Sequence, residues 1–316
     1  MESTGIARTG GGGFMTRAVR DLRRNKYIYL MIIPVVLWYF LFCYLPMYGI
    51  VIAFQNFSLS GGITGSDWVG LKHFRDFFNS VFAVRVTFNT VYLNVLGLLI
   101  GFPAPIIFAL LLNELRNEKF KKVSQTISYM PHFISLVVVC GLMRIFSDKE
   151  GVLSYLYTVF TGKPVVQNLI DTPGMYRPMY VLSGVWQSVG FSSIIYLSAI
   201  SGINPEIYEA AVIDGASRWA RARYITLPGI ESTIVMLFIL GLGGLMSAPL
   251  DKPLLLMNPA NSHVSDLIST YVYRQGLMFA QYGYGAAVGL FQSLINFIIL
   301  FMANKTAEKT TGYNIF

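Results

Sequence analysis

Residues 204–228 read Asn204-Pro205-Glu206-Ile207-Tyr208-Glu209-Ala210-Ala211-Val212-Ile213-Asp214-Gly215-Ala216-Ser217, then Arg218 to Tyr224, then Ile225-Thr226-Leu227-Pro228. These residue types predict a short helix with defined ends. Asn204 can cap it, Pro205 fits its first position, and Glu206 complements the positive end of the helix dipole. Gly215 suits the left-handed residue that stops a helix, and Ser217 can cap a second one. A helix of about ten residues is marginal on its own in water, so it must dock on something. Ile207, Ala210, Ala211 and Asp214 share one face at helical spacing. Alanines there allow a partner's backbone to come close, while Glu209 and Asp214 offer charges. The shape suits a small knob seated in another protein's groove.

Apolar sequence lies on both sides of this loop. Of the 316 residues, 54% are hydrophobic and only 13% charged, about half the roughly 25% charge of soluble domains; the mean hydropathy is +0.55. Six runs reach the roughly 20 residues that a helix needs to cross a bilayer: 27–54, 87–113, 123–143 (with Pro131 and His132), one within 178–205, one within 232–250, and 282–302. Inside lipid each backbone amide must be paired within its own segment. The expected fold class is therefore all-α integral membrane, with six transmembrane helices. The divisions follow: a tail 1–26, a first transmembrane helix and outer loop 27–86, a core domain 87–302 carrying the loop 203–228, and a tail 303–316. Residues 1–13, with Gly10 to Gly13, are expected to be a disordered tail.

Charge sets the orientation. The segments 1–26, 114–122, 202–229 and 303–316 hold six, four, three and two Lys/Arg, and such residues gather on the cytoplasmic side. Both termini are thus expected in the cytoplasm. Arg17, Arg20, Arg23, Arg24 and Lys26 ahead of the first run resemble a secretory leader, but the run is long and lacks a small-residue cleavage pattern, so it is expected to be a retained anchor. The net charge of +8 is dispersed between apolar spans instead of forming a patch with aromatics, which argues against nucleic acid. Cys43 and Cys140, both in apolar runs, read as small apolar side chains, and no metal-ligand cluster is apparent.

One resemblance is carried by the loop. Glu209-Ala210-Ala211, three residues, Gly215, nine residues, Ile225, one residue, Leu227-Pro228 resembles the signature loop of inner-membrane permeases in binding-protein-dependent ABC importers, and lies two spans before the C-terminus as it does there. Asp214, Ala216 and the Ile225-Thr226-Leu227-Pro228 ending are similar to the carbohydrate branch. So are Trp186 to Gly190, Ile194-Ile195-Tyr196-Leu197, the Pro34, Phe40, Tyr44 and Pro46 pattern, and Trp68-Val69-Gly70, which resemble permeases for oligosaccharides and polysaccharide fragments. The likeness covers roughly residues 20–303. It implies a type I ABC importer permease fold, a bacterial cytoplasmic (inner) membrane location, and pairing with a second permease, expected to form a heterodimer. It also implies docking of Glu209, Ala210, Ala211, Asp214, Gly215, Ile225, Leu227 and Pro228 on a cytoplasmic ABC ATPase dimer, and delivery of the carbohydrate by an external solute-binding protein. ATP and Mg would belong to the ATPase, leaving this chain non-catalytic and without a cofactor. The residues agree, since Gly10 to Gly13 lack the Lys of a phosphate loop.

A sugar path needs polar groups, and polar residues within spans usually face the bundle interior. Candidates are Asn89 and Asn94; Gln187, Ser188, Ser192 and Tyr196; and Gln292, Ser293 and Asn296. Helix–helix hydrogen bonding is the competing reading for each. Arg144, at the end of the third run, is expected to snorkel to the outer surface. His132 has no intramembrane carboxylate partner and is expected to be structural, and Pro103 and Pro105 are expected to kink the second span. The alternatives are an importer for another small solute or an ion-driven secondary transporter; the latter usually carries intramembrane carboxylates, and the apolar cores contain none.

Overall fold

A computed structural model describes residues 24–312, so the N-terminal tail with Gly10 to Gly13 lies outside the described residues. The chain divides into two compact units, Met1–Val51 and Ile52–Phe316.

The first unit consists, in its described part, of α1 (Lys26–Phe54), which ends just past the boundary. It passes through Pro34 and a wide π turn at Phe40–Tyr44. None of its most apolar stretch is buried. A helix apolar all round, with no polar face, is matched to lipid and not to water.

The second unit opens with a two-residue antiparallel pair, β1 (Gln55–Asn56) and β2 (Asp67–Trp68), with Gln55 opposite Trp68. Trp68 stacks on Phe54 with ring centroids 5.6 Å apart. A surface helix α2 (Lys72–Asn79) follows. Ser80 then caps α3 (Val81–Asn113) by accepting from the Phe82 amide. α3 runs through Pro103 and Pro105 as one helical path, with Phe102 still right-handed helical.

The third span departs from expectation. It was expected to be continuous over 123–143, but α4 (Glu118–Phe133) and α5 (Leu136–Phe146) meet at 96°. Ile134 and Ser135 are extended between them. Pro131 supplies no amide donor and disturbs the helical ladder ahead of the break. The Ile134 carbonyl freed there accepts from Gln187 Nε2 at 3.0 Å.

α6 (Val152–Thr161) follows the third run, and α7 (Pro173–Ser201), which holds the fourth run, is 29 residues long and so about 43 Å. Six spans were expected, but among the described residues three helices (α1, α3 and the C-terminal Tyr282–Thr311) are long and apolar enough to cross a membrane, or five if each bent pair is one span; α7 is not among them because Ser, Gly and Gln residues dilute its hydropathy. The loop supplies α8 (Pro205–Ile213) and α9 (Arg218–Gly229), and α9 meets α10 (Glu231–Gly243) at 64°. The fifth span is shorter than the apolar run predicts: the helix stops at Gly243, not at residue 250. Glycines 241, 243 and 244 weaken it there, Pro249 follows, and the apolar residues up to Leu250 form turns instead. Short helices α11 (Asp251–Leu256), α12 (Ser262–Ser265) and α13 (Ile268–Val272) lie in the segment 251–281, the one expected on the outer side and called the outer segment below. The last span, α14 (Tyr282–Thr311), carries Lys305 and Lys309 and continues nine residues beyond the predicted end of the run at residue 302.

Three apolar clusters hold these elements. Leu93, Cys140, Tyr176, Leu256 and Leu267 join α3, α5, α7 and the outer segment. Phe77, Val86, Ile268, Tyr271 and Val288 join α2, α3, α13 and α14. Ile106, Ala109, Tyr196, Ile200 and Ile230 join α3 to α7 and the start of α10. Cys140 is packed in the first cluster while Cys43 is exposed, in keeping with two separate small side chains.

Candidate functional site

The loop forms as its local chemistry predicts. Asn204 Oδ1 accepts the Glu206 amide at 3.1 Å, and its Nδ2 donates to Glu206 Oε2 at 3.2 Å. Pro205 occupies the first turn of α8. At the other end the Gly215 amide donates to the Val212 carbonyl (3.1 Å) and the Ala216 amide to the Ala211 carbonyl (2.8 Å). This is the Schellman pairing, which requires a left-handed residue, and Gly215 has φ +75°. Ser217 caps α9 by accepting from the Ala220 amide at 3.2 Å.

The knob stands clear of the rest of the chain. Glu209, Ala210, Asp214 and Gly215 are exposed, and Ala211 is half-buried. Neither Glu209 nor Asp214 forms an ion pair among the described residues. Two tethers hold the loop: Tyr208 Oη shares a hydrogen bond with Thr226 Oγ1 at 2.9 Å, and Arg221 faces Glu114, just past the end of α3, at 4.0 Å. Ile225 is half-buried, and Leu227 and Pro228 lead exposed into the bend before α10. A rigid, capped helix with a free face of two alanines flanked by two carboxylates can receive a basic or polar groove. It has no group arranged for chemistry of its own.

A second feature lies between α3, α7 and α10. A cavity of about 460 Å³ is bounded by Asn94, Tyr180, Ser188 and Lys252 among glycines and aliphatic side chains. Of the path candidates, Asn94 and Ser188 reach it. Asn94 Nδ2 donates to the Leu245 carbonyl at 2.9 Å, and the Ser188 hydroxyl to the Gly184 carbonyl of its own helix at 2.8 Å. The other candidates serve elsewhere. Asn89 is buried, donating to the His263 and Asp266 carbonyls and accepting from Arg177. Gln187 closes the break in the third span, and Tyr196 is packed in the core. Asn296 grips the turn after α10, accepting from the Met246 amide at 2.8 Å and donating to Ser247 Oγ at 2.7 Å. Ser293 bonds back to Gly289, while Ser192 and Gln292 stand half-buried outside the cavity. For Asn89, Gln187 and Asn296 the hydrogen-bonding reading is therefore the one the geometry favours, while Tyr196 packs in an apolar cluster.

Arg144 is a correction. Instead of snorkelling outward, its Nε and Nη2 fork onto the Leu255 carbonyl at 3.1 and 2.9 Å, closing the end of α11. His132 stacks flat on Phe191, with centroids 4.0 Å apart, as a structural residue would.

Residues 251–281 hold what the sequence reading missed. Asp266 is buried, with Arg274 Nη2 at 2.7 Å, Arg85 Nη2 at 3.8 Å and the Thr270 hydroxyl donating at 2.8 Å. Asn261, fully buried, donates to Asp171 Oδ1 and the Leu256 carbonyl and accepts from the Asn258 amide and the Ser265 hydroxyl. Lys252, at 7% exposure, points its ammonium at α7. The legible signal for Lys252 was the glycine cluster at 241–244. Had it been taken as the end of the span, the residues after it could not have been an outer loop beginning only at 251.

Residues 101–310 match the protein family described as binding-protein-dependent transport system inner membrane component, and the loop falls inside that stretch. Over 293 residues the chain is 43% identical to the polygalacturonan/rhamnogalacturonan transport system permease protein YteP of Bacillus subtilis (strain 168), covering 93% of this chain and 91% of YteP. The fold is similar to a chain in the crystal structure of a bacterial ABC transporter involved in the import of the acidic polysaccharide alginate. The TM-score there is 0.85 at 37% identity, covering 93% of this chain and 99% of that one. A second structure, of bacterial alginate ABC transporter in complex with alginate pentasaccharide-bound periplasmic protein, is similar with a TM-score of 0.85 at 36% identity, covering 94% of this chain and 99% of that one.

Proposed function

The chain belongs to the family of binding-protein-dependent transport system inner membrane components, and we propose from that premise that it passes oligosaccharides across the cytoplasmic membrane as one permease of an ATP-driven importer. The loop carries this reading. An exposed nine-residue helix, closed at both ends by its own side chains and backbone, has a free face fit to be gripped. In this proposal a cytoplasmic ATPase dimer, with its own ATP and Mg, holds α8 in a cleft and moves it as the nucleotide is bound and hydrolysed. Glu209 and the Ala210/Ala211 face transmit the force, and Gly215 keeps the turn to α9 tight.

The remaining parts follow from the same premise. Both termini are cytoplasmic, a second permease completes the membrane assembly, and an external binding protein delivers the sugar, as the periplasmic protein accompanies the alginate transporter. The chain itself carries out no reaction. Its cavity beside Asn94 and Ser188 forms part of the path, offering hydroxyl-matching donors and acceptors between apolar walls. The relatives transport polygalacturonan/rhamnogalacturonan and alginate, which supports a saccharide as the cargo.

The test is a purified assembly of this chain with its second permease, ATPase and binding protein in proteoliposomes. Saccharide uptake should require ATP. Glu209→Lys should leave the assembly intact on size-exclusion chromatography while hydrolysis no longer drives uptake. Uptake that proceeds without ATPase, or normal uptake by the Glu209→Lys assembly, would overturn the proposal.

A further inference from the structure

Lys252 stands on α11 and reaches across to the first half of α7. Its Nζ donates to the Tyr180 carbonyl at 2.7 Å and lies 4.5 Å from the centre of the Tyr180 ring. An ammonium carries three N–H donors, so one carbonyl and one aromatic face leave one donor uncommitted. No described carboxylate pairs with it. A buried cation without a counter-charge is costly unless something compensates it. The other buried charge of this outer segment, Asp266, shows the contrast, since it sits between two guanidiniums.

The uncompensated charge faces a cavity. Lys252 borders the space that Asn94 and Ser188 also border. At Gly184, on the wall of that space, a Cβ would stand 3.3 Å from Nζ, so the missing side chain makes room for the ammonium at the edge of the cavity. Around it the space offers an amide, a hydroxyl and the Tyr180 ring, a set that suits a sugar ring carrying one negative group.

We propose that Lys252 gives this cavity a binding position for an anionic group, the carboxylate of an acidic sugar, so that the saccharide passing through is a charged one. This rests on the reading of the cavity as part of a sugar path and narrows it to uronate-containing fragments. Lys252 is a specificity-determining residue in that scheme. Its ammonium pairs with the carboxylate, while Asn94 and Ser188 hold hydroxyls of the same or the neighbouring ring.

The experiment uses the complete permease–ATPase assembly in nanodiscs without binding protein, so that only the membrane subunits select. Isothermal titration calorimetry compares trigalacturonate with its fully methyl-esterified, neutral counterpart. Wild type should bind the acid at least about ten-fold tighter than the ester, the scale of one charge-assisted hydrogen bond. Lys252→Met should lose about that factor for the acid and leave the ester unchanged, and Lys252→Arg should restore part of the preference. Equal binding of acid and ester by wild type, or an unchanged preference in Lys252→Met, would overturn the charge assignment while the sugar path stands. Binding of neither saccharide would bring down the path reading as well. If Lys252→Met fails to assemble, the wild-type ratio and the Lys252→Arg variant decide.

Discussion

The inner knob, residues 204–228, and the outer segment, residues 251–281, are of similar length and opposite construction. The knob is held by neighbours in sequence: Asn204 to Glu206, Gly215 to Val212, Ala216 to Ala211, Ser217 to Ala220. Its distinctive side chains face outward. The outer segment is held by partners far along the chain: Asn89 to Asp266, Thr90 to Ile268, Arg144 to Leu255, Asn261 to Asp171. Its polar groups face inward. The difference separates two kinds of work. A part that must be gripped by another protein has to hold its own shape, whereas a part that knits spans together can depend on all of them.

Substitutions can break the comparison or sharpen it. Asp266→Asn should be the most damaging. It takes the charge from the buried acceptor of the half-buried Arg274, weakening a charge-assisted hydrogen bond at a cost of about 2–3 kcal/mol, and the thermal midpoint of the purified assembly should fall by several degrees. Asn261→Ala comes next, leaving Asp171 and the Leu256 carbonyl short of a donor at a loss of about 2 kcal/mol, visible in the same melt. On the knob the stability effects should be smaller. Gly215→Ala places a side chain at φ +75° and should cost about 1 kcal/mol, yet it should weaken ATPase binding more than it lowers the melting point. Asn204→Ala removes one cap, about 1 kcal/mol at most for so exposed a helix, best read as faster hydrogen exchange confined to α8. An Asn204→Ala melt as depressed as that of Asp266→Asn would erase the distinction between the two regions.

The same contrast explains what could be read from sequence. The knob was legible because the signals that start and stop its helix act within about five residues. Asn-Pro-Glu starts a helix and Asp-Gly ends one wherever they occur. The apolar runs were legible too, since bilayer thickness sets their length. Where those runs stop as helices was not. Ser135 and Gly244 interrupt stretches whose hydropathy continues, and Arg85, which lies in the first turns of α3, meets Asp266 from far along the chain. The roles of Asn89, Gln187 and Asn296 were hidden for the same reason. A polar residue in a span looks alike whether it meets a ligand or a carbonyl of the next helix, and only the packing decides.

The right-angled joint between α4 and α5 has a mechanical corollary. The two arms are about 24 and 16 Å long, so neither crosses a bilayer core of about 30 Å alone. Their junction leaves the Ile134 carbonyl between two helices, and Gln187 of α7 donates to it. Sliding α7 past that corner would strip the carbonyl bare. The bond ties corner to mast, so that a movement of α7 past the joint would give up a hydrogen bond.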